Sequence, residues 1–319
     1  MLRSLLANLV GDGSWGRTLG AGVLAAGAAC FAYGVLIERD AFVLRAVEVP
    51  VLKPGQQPLR VLHISDIHLT PDRTRLLAWL EGLAELEPDL VVNTGDNIGS
   101  AAAIGPLLSA LGGLFDVPGV FVFGSNDLYG PRPINPLSYL GIGPTLGKNR
   151  TRLPSHELRA SFVGHGWTDV EHVRTTLSVA GRQVEVRGTR DGHLEADDYS
   201  LVAGPPDPAV DLSLFVTHAP YQRLLNSATA DRVDLMLAGH THGGQVCVPF
   251  YGALTTNCDL QNSRVKGLSL HRAGGQTSWL HVSGGLGTAP TAPFRFACRP
   301  EATLLTLVER DVSEPVGLG

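Results

Sequence analysis

Positive charge is not in excess in this chain. Of 319 residues, 25 are Lys or Arg and 30 are Asp or Glu, a formal net charge of −5. That balance gives no electrostatic footprint for nucleic acid, and no nucleic-acid partner is expected. Cysteine is scarce, with four copies. Cys30 lies in an apolar stretch, and Cys247, Cys258 and Cys298 admit at most one intramolecular bridge. Cys247 with Cys258 is the nearest pair, and three free thiols is an equal alternative. Internal repeats are missing, and no break in the chain calls for a second globular domain. Charge itself disappears over residues 18–37, "TLGAGVLAAGAACFAYGVLI".

That stretch matches the ~20 apolar residues a helix needs to cross a bilayer. Arg3 and Arg17 precede it and Glu38, Arg39 and Asp40 close it. It reads as a retained single-pass anchor behind an N-terminal tail, residues 1–17. A cleaved signal peptide and a buried helix are the competing readings. Lys and Arg are nearly equal on the two flanks and do not decide orientation. The short basic tail favours placing the rest of the chain outside the cytoplasm.

Residues 38–58 read as a linker, residues 59–310 as one domain, and residues 311–319 as a C-terminal tail. "LRVLHIS" (59–65), "DLVVNT" (89–94) and "GVFVFG" (119–124) are apolar, β-rich runs. The helical spacings of residues 74–88 and of "AAAIGPLLSALGGLFD" separate them. Further on, "RASFVGHG", "TTLSVAG" and "RQVEVRGTRDGH" read as short alternating strands, with a hairpin turn at Ala180-Gly181. "SLFVTHAPY", "VDLMLAGHTHGG", "TSWLHVSGGLG" and "EATLLTLVER" are strands again. Helix-linked strands first and hairpins later predict an α/β fold of two sheets packed face to face with helices outside.

The polar residues sit where these runs end: Asp66 and His68 in "SDIHL", Asp96 in "TGDNIG", Ser125, Asn126 and Asp127 in "FGSND", His218 in "VTHAP", His240 and His242 in "GHTHGG". Open α/β sheets place ligands at such strand ends. In an extended chain residues i and i+2 point the same way, so His240 and His242 would aim two imidazoles at one spot. Any one of these residues is more often an ordinary hydrogen-bonded side chain. Carboxylates and imidazoles together suit Mn, Fe or Zn. Six or seven ligands exceed the needs of one tetrahedral ion, so two divalent ions are implied, with one carboxylate, here Asp96, able to bridge them. Two ions ~3.5–4 Å apart polarise a water and clamp both oxygens of an in-line displacement, which is what phosphorus chemistry needs.

In this order the motifs "D-x-H … G-D … N-D … H … G-H-x-H" resemble the calcineurin-like metallophosphoesterase superfamily, and "GHTHGGQ" behind an apolar span resembles its bacterial membrane-associated branch. The resemblance runs from residue 60 to about 308. It implies a four-layer α-β-β-α sandwich of two mixed sheets with the site at strand ends. Carried onto matching positions, it implies one metal on Asp66, His68, Asp96 and His242, and a second on Asp96, an amide, His218 and His240. It also implies a metal-dependent phosphoric ester hydrolase. The anchor would bring it near a phosphorylated small-molecule, lipid-linked or envelope-linked substrate.

One position departs from the family pattern G-N-H-[DE]. Here "GSND" stands at 124–127. Without a gap, Ser125 takes the ligand position and Asn126 that of the catalytic histidine. With a one-residue shift, Asn126 is the ligand and Ser125 is not. Asn126 and Asp127 are the catalytic candidates in this loop. Either way the usual imidazole acid is missing, and an amide cannot deliver a proton, which favours good leaving groups and so a phosphodiesterase or pyrophosphatase-like activity over alkyl monoester hydrolysis. His193, in "TRDGHLEADD", is a substitute donor or an ordinary turn histidine. Arg132 and Arg295 could pair with a phosphate, since guanidinium matches phosphate bidentately, but packing arginines are commoner. A binding or scaffold protein on the same fold is the alternative function. A metallo-β-lactamase would need H-x-H-x-D-H, which "HTHGGQ" does not supply.

Overall fold

In strand β2 (Leu59–Ile64), Leu59 and Val61 face one way and Leu62 and Ile64 the other, and all four are fully buried. A strand covered on both faces reads as a continuous apolar run, the pattern of a sheet with neighbours on each side. β3 (Leu90–Asn93), β4 (Gly119–Phe121), β8 (Leu212–Val216) and β9 (Leu235–Ala238) repeat it.

The computed structural model describes residues 14–131, 150–288 and 291–310. One six-stranded sheet runs β1 (Val43–Leu52), β14 (Glu301–Glu309), β2, β3, β4, β5 (Thr168–Asp169). The other runs β12 (Gly267–Ala273), β13 (Gln276–Val282), β9, β8, β7 (Arg182–Gly188), β6 (Arg174–Val179). Both are mixed: β2, β3, β4 and β5 are parallel, as are β7, β8, β9 and β13, while β14 is antiparallel to β2 and β12 to β13. A hairpin of β10 (Cys247–Val248) and β11 (Gly252–Ala253) stands apart.

The sheets meet through Val61, Val92, Val120, Val186, Leu214 and Leu237. On the outer face of the first sheet, Leu62, Val91 and Phe121 pack against α2 (Thr74–Glu81), α3 (Ile104–Ala110) and α5 (Ser155–Gly164) through Leu76, Leu80, Leu107 and Phe162. On the outer face of the second, Phe215, Met236 and Leu280 pack against Leu224, Leu225 and Ala228 of α6 (Gln222–Ala230). This is the expected four-layer α-β-β-α sandwich. The turn at Ala180-Gly181, with φ of 47° and 78°, joins β6 to β7 as expected. The short α4 (Ser125–Leu128) carries the "SND" residues.

Two sequence expectations are corrected. Residues 38–58 are not a linker: β1 pairs in parallel with β14 along its length, Val49 and Val51 are buried, and Gln56 Nε2 donates to Asp211 Oδ1 at 2.9 Å. An edge strand tolerates Pro50 and exposes one face, which hid it. "RASFVGHG" is not a strand: residues 155–164 form α5, burying Leu158 and Phe162, four apart on one helical face.

Before the sheets comes α1 (Ser14–Leu36). The stretch Gly20–Asp40 is long and apolar enough to cross a membrane, with mean hydropathy 1.9 and only 6% of its apolar window buried. Its end docks on the domain. Gly34 is buried against Arg295, and Phe31 and Tyr33 meet Phe294 and Phe296 with ring centroids 5.5 and 6.4 Å apart. Buried Glu38 accepts the backbone N–H groups of Ala297 (3.0 Å) and Cys298 (2.6 Å).

Candidate metal centre

The parallel strands β2, β3, β4, β8 and β9 deliver their following loops to one rim of the sandwich. The backbone there is strained. Asp66, His68, Asp96, His240 and His242 all lie in the left-handed region, with φ of 51°, 44°, 57°, 70° and 51°. Each such residue costs ~1 kcal/mol or more, and clustered strain marks functional loops. The extended i, i+2 geometry expected for His240 and His242 therefore does not apply. The left-handed turns instead send His240 toward His218 and His242 toward His68.

Two clusters result. Asp66, His68 and His242 bring ligand atoms within 4.8 Å of one another, and so do Asp66, Asp96 and His218. His68 Nε2 and His242 Nε2 face each other at 3.1 Å, and His242 Nε2 is 3.5 Å from Asp66 Oδ1. Asp96 Oδ2 lies 3.5 Å from both His68 Nε2 and His218 Nε2, so its carboxylate stands between the clusters. His240 Nδ1 faces His218 Nε2 at 3.3 Å. Asp66 is pinned from behind by Ser65 Oγ (2.6 Å) and the His240 N–H (2.9 Å). Gly239 allows this approach, because a Cβ there would sit 1.9 Å from Ser65 Oγ and 2.5 Å from Asp66 Oδ2.

The tautomers test whether cations fit. His218 Nδ1 lies 2.7 Å from the Thr94 carbonyl, and His240 Nε2 lies 3.4 Å from that of Asn257. Each nitrogen donates to its oxygen, so with both rings neutral His218 Nε2 and His240 Nδ1 would be two lone pairs pointed at one another. A proton or a cation has to lie between them. Burial drives His68 and His242 down and His240 to about 3, which keeps these imidazoles neutral. Burial works most strongly against charge on His218, but the carboxylates of Asp96, Asp191 and Asp66 together outweigh it and raise His218 well above its ordinary value. Asp96 is pushed up by burial and pulled further down by His218, His68 and the Asn126 amide together, ending well below the carboxylate range. Buried carboxylates facing imidazoles, with a cation in place of the His218 proton, are the donor set of a Mn, Fe or Zn site.

The profile of the calcineurin-like phosphoesterase family matches residues 59–244, which carry every residue of these clusters. The chain belongs to that family. Members of the family generally bind two divalent metals, and membership places the chain among hydrolases. It is 28% identical over 281 residues to an uncharacterized metallophosphoesterase, YkuE, of Bacillus subtilis, covering 85% of this chain and 86% of that one. It is 27% identical over 293 residues to the phosphodiesterase YaeI of Escherichia coli, covering 87% and 93%. It is 26% identical over 297 residues to a bovine transmembrane protein with a metallophosphoesterase domain, covering 86% of this chain and 59% of that protein.

Within this phosphoesterase frame, the "GSND" loop takes a defined form. Asp127 is fully buried and accepts the N–H groups of Asp96 (2.7 Å), Asn97 (2.7 Å) and Gly124 (3.0 Å). It ties two loops together and does not line the pocket, so its expected catalytic place is corrected to a positioning one. Burial, and then the Asp96 charge, push its carboxyl up to about 7 against those N–H groups. Ser125 and Asn126 do line the pocket, with His68, Asp96, His240 and His242. Asn126 Nδ2 donates to Asp96 Oδ2 at 2.6 Å, and its Oδ1 accepts from Arg150 Nη2 at 2.8 Å. A flipped amide would set two donors face to face at Arg150. The guanidinium thus fixes Asn126 as a donor toward the site, and its expected place as a metal ligand is corrected, because the amide nitrogen has no lone pair to give a cation.

His193 lines the same pocket, 4.6 Å from His240 ring to ring, with Nδ1 3.2 Å from the Tyr221 hydroxyl. Arg295 does not face the pocket. It is fully buried and donates to the carbonyls of Gly284 (2.8 Å), Gly285 (3.1 Å), Gly287 (2.7 Å) and Cys298 (3.2 Å), with Nη2 3.3 Å from His242 Nδ1. Its expected role as a substrate arginine is corrected: five-donor guanidinium chemistry is spent on carbonyls beneath His242. Arg132 lies outside the described residues. Cys247 does not pair with Cys258. All four cysteines are unbridged, Cys247 neighbours Cys298, and Cys258 contacts Thr256 Oγ1 at 3.2 Å.

Sequence reasoning missed Arg150 and Asn257, because each sits in a loop with no strand-end pattern. It also missed Asp191, two residues before His193. Asp191 is 2% exposed, and its Oδ2 has no hydrogen-bond partner among the described residues.

Proposed function

We propose that this chain is a membrane-tethered phosphoesterase that holds two divalent cations, Mn, Fe or Zn, and hydrolyses phosphodiester or pyrophosphate bonds of a lipid- or envelope-linked substrate. The domain lies outside the cytoplasm. The observation that carries the reading is the convergence of two ring nitrogens, His218 Nε2 and His240 Nδ1, 3.3 Å apart beside two buried carboxylates, so that a proton or a cation must lie between them. Asp66, His68, Asp96 and His242 would hold one cation, and Asp96, His218, His240 and Ser125 the other. When bound, the cations supply Lewis acidity that lowers the pKa of water and neutralises charge on the phosphoryl oxygens.

The chain's own residues do the rest. Asn126, oriented by Arg150, donates to a phosphoryl oxygen and moves no proton. Leaving groups must then depart with little protonic help, which favours diesters and pyrophosphates over alkyl monoesters. The relative named a phosphodiesterase supports the same class. His193 is held neutral by burial at the pocket wall and is the nearest imidazole able to receive or return a proton. Arg150, at the pocket edge, adds positive charge toward the departing group.

The second reading is a catalytically weak binding protein, motivated by the amide that stands where the family carries its imidazole. One experiment separates the two. Full-length protein stripped with a chelator should lose hydrolysis of bis-p-nitrophenyl phosphate and recover it with Mn. Metal-loaded protein that hydrolyses no phosphodiester or pyrophosphate contradicts the enzyme. Retention of less than one ion per chain supports the binding protein.

A further inference from the structure

The β10–β11 hairpin presents an apolar tip that nothing in the fold requires. Phe250 is 112% exposed, Tyr251 76%, Leu254 51% and Val248 42%. The Tyr251 N–H donates to the Val248 carbonyl at 3.0 Å, closing a turn with Pro249 and Phe250 at its centre. Phe250 takes φ of 67° there, a conformation that glycine favours in such turns. A bulky aromatic is thus held in strained backbone at a position where it touches solvent on every side. Residues 246–258, "VCVPFYGALTTNC", contain no charged side chain, so no ion would need to be dehydrated if the tip left water.

The hairpin is continuous with the end of α1. Val246 bridges Phe296, and the Cys247 N–H donates to the Phe296 carbonyl at 2.8 Å. Phe296 is the residue that meets Tyr33 of α1, and Phe294 meets Phe31. From Val246 to Phe250 is four residues, at most ~13 Å of extended chain. The roots of the same hairpin line the pocket that holds the candidate metal ligands: Gln245 just before it, Asn257 just after it, and Thr291 and Ala292 beside it. Gln245 Nε2 fastens to the Ala292 carbonyl at 2.9 Å. Membrane helix, aromatic tip and pocket mouth therefore share one edge of the domain.

We propose that this hairpin is a second membrane contact: Phe250 and Tyr251 insert into the bilayer interface beside α1, and the pocket mouth is held against lipid headgroups. Aromatic side chains favour that interface. The substrate of the site is accordingly a phosphate borne by a lipid in the membrane rather than one dissolved in water. This last clause rests on the phosphoesterase reading, whereas the insertion does not.

The test uses the full chain in vesicles of phosphatidylglycerol and phosphatidylcholine brominated on its acyl chains. Phe250→Trp adds emission that bromine should quench by at least half, after subtraction of the parent signal. Val163→Trp, on α5 and 51% exposed in the parent, should be quenched by aqueous iodide and not by bromine. Emission from Phe250→Trp that follows iodide and ignores bromine overturns the insertion. Phe250→Ser/Tyr251→Ser should lower the ratio of turnover on a lipid-borne phosphodiester to that on bis-p-nitrophenyl phosphate by about tenfold. An unchanged ratio overturns the substrate assignment. A chain that turns over neither compound fails the phosphoesterase reading alone and leaves the quenching result standing.

Discussion

Asp127→Asn removes one carboxylate oxygen and adds a donor at the joint between the 94–97 and 124–127 loops. In the parent, Oδ2 serves the N–H groups of Asp96 and Gly124, and Oδ1 that of Asn97. An amide turned to serve Asp96 and Gly124 points its NH2 at the Asn97 N–H, a contact of 2.7 Å in the parent. One hydrogen bond to a charged group is worth ~1.5–3 kcal/mol, and a buried donor left without an acceptor costs ~1–3 kcal/mol. The neutral amide recovers part of this because no charge is buried. The net loss is ~3 kcal/mol, read as urea unfolding of the detergent-solubilised chain by tryptophan emission. The same change releases Asp96 and Asn126, so kcat/KM should fall at least tenfold while substrates of different leaving group fall together. An unfolding free energy within ~0.5 kcal/mol of the parent, the range of an inconsequential surface change, would refute the reasoning.

Asn126→His should restore a protic group, raising hydrolysis of alkyl phosphomonoesters relative to bis-p-nitrophenyl phosphate; a ratio that does not rise counts against the missing-acid argument. Arg150→Gln should let the Asn126 amide turn, lowering kcat with little change in bound metal; metal loss as large as the rate loss would assign Arg150 to the ligand scaffold instead. His63 and His281 meet between the sheets with Nδ1 atoms 2.8 Å apart, and burial holds His281 at about 4 and His63 well below its ordinary value of 6.5. Between pH 6.5 and 4 the unfolded chain binds protons that the folded chain refuses, so stability is fully present above pH 6.5 and falls on acidification. His281 alone accounts for roughly 3 kcal/mol by pH 4. Urea titrations at pH 7.5 and 5 check this, and His281→Gln should shrink the difference, leaving the part that belongs to His63.

The sandwich was legible because its central strands are apolar on both faces and end in chemistry-bearing residues. β1 was not, since an edge strand with Pro50 and an exposed face carries a weaker pattern. The six strand-end residues Asp66, His68, Asp96, His218, His240 and His242 do come together, although the left-handed backbone at His240 and His242 replaces the extended alternation that suggested their pairing. Sequence distance hides the rest. Arg150 reaches Asn126 across twenty-four positions, and Arg295 disappears beneath His242, fifty-three positions away. Neither a buried nor a pocket-edge arginine differs in sequence from a surface one.

The most direct measurement is anomalous scattering from crystals of the Mn-loaded chain. The account predicts two peaks ~3.5–4 Å apart. One should touch Asp66, His68, Asp96 and His242; the other should touch Asp96, His218, His240 and Ser125 Oγ. A single peak, or Asp66 and His242 on separate ions, would contradict it.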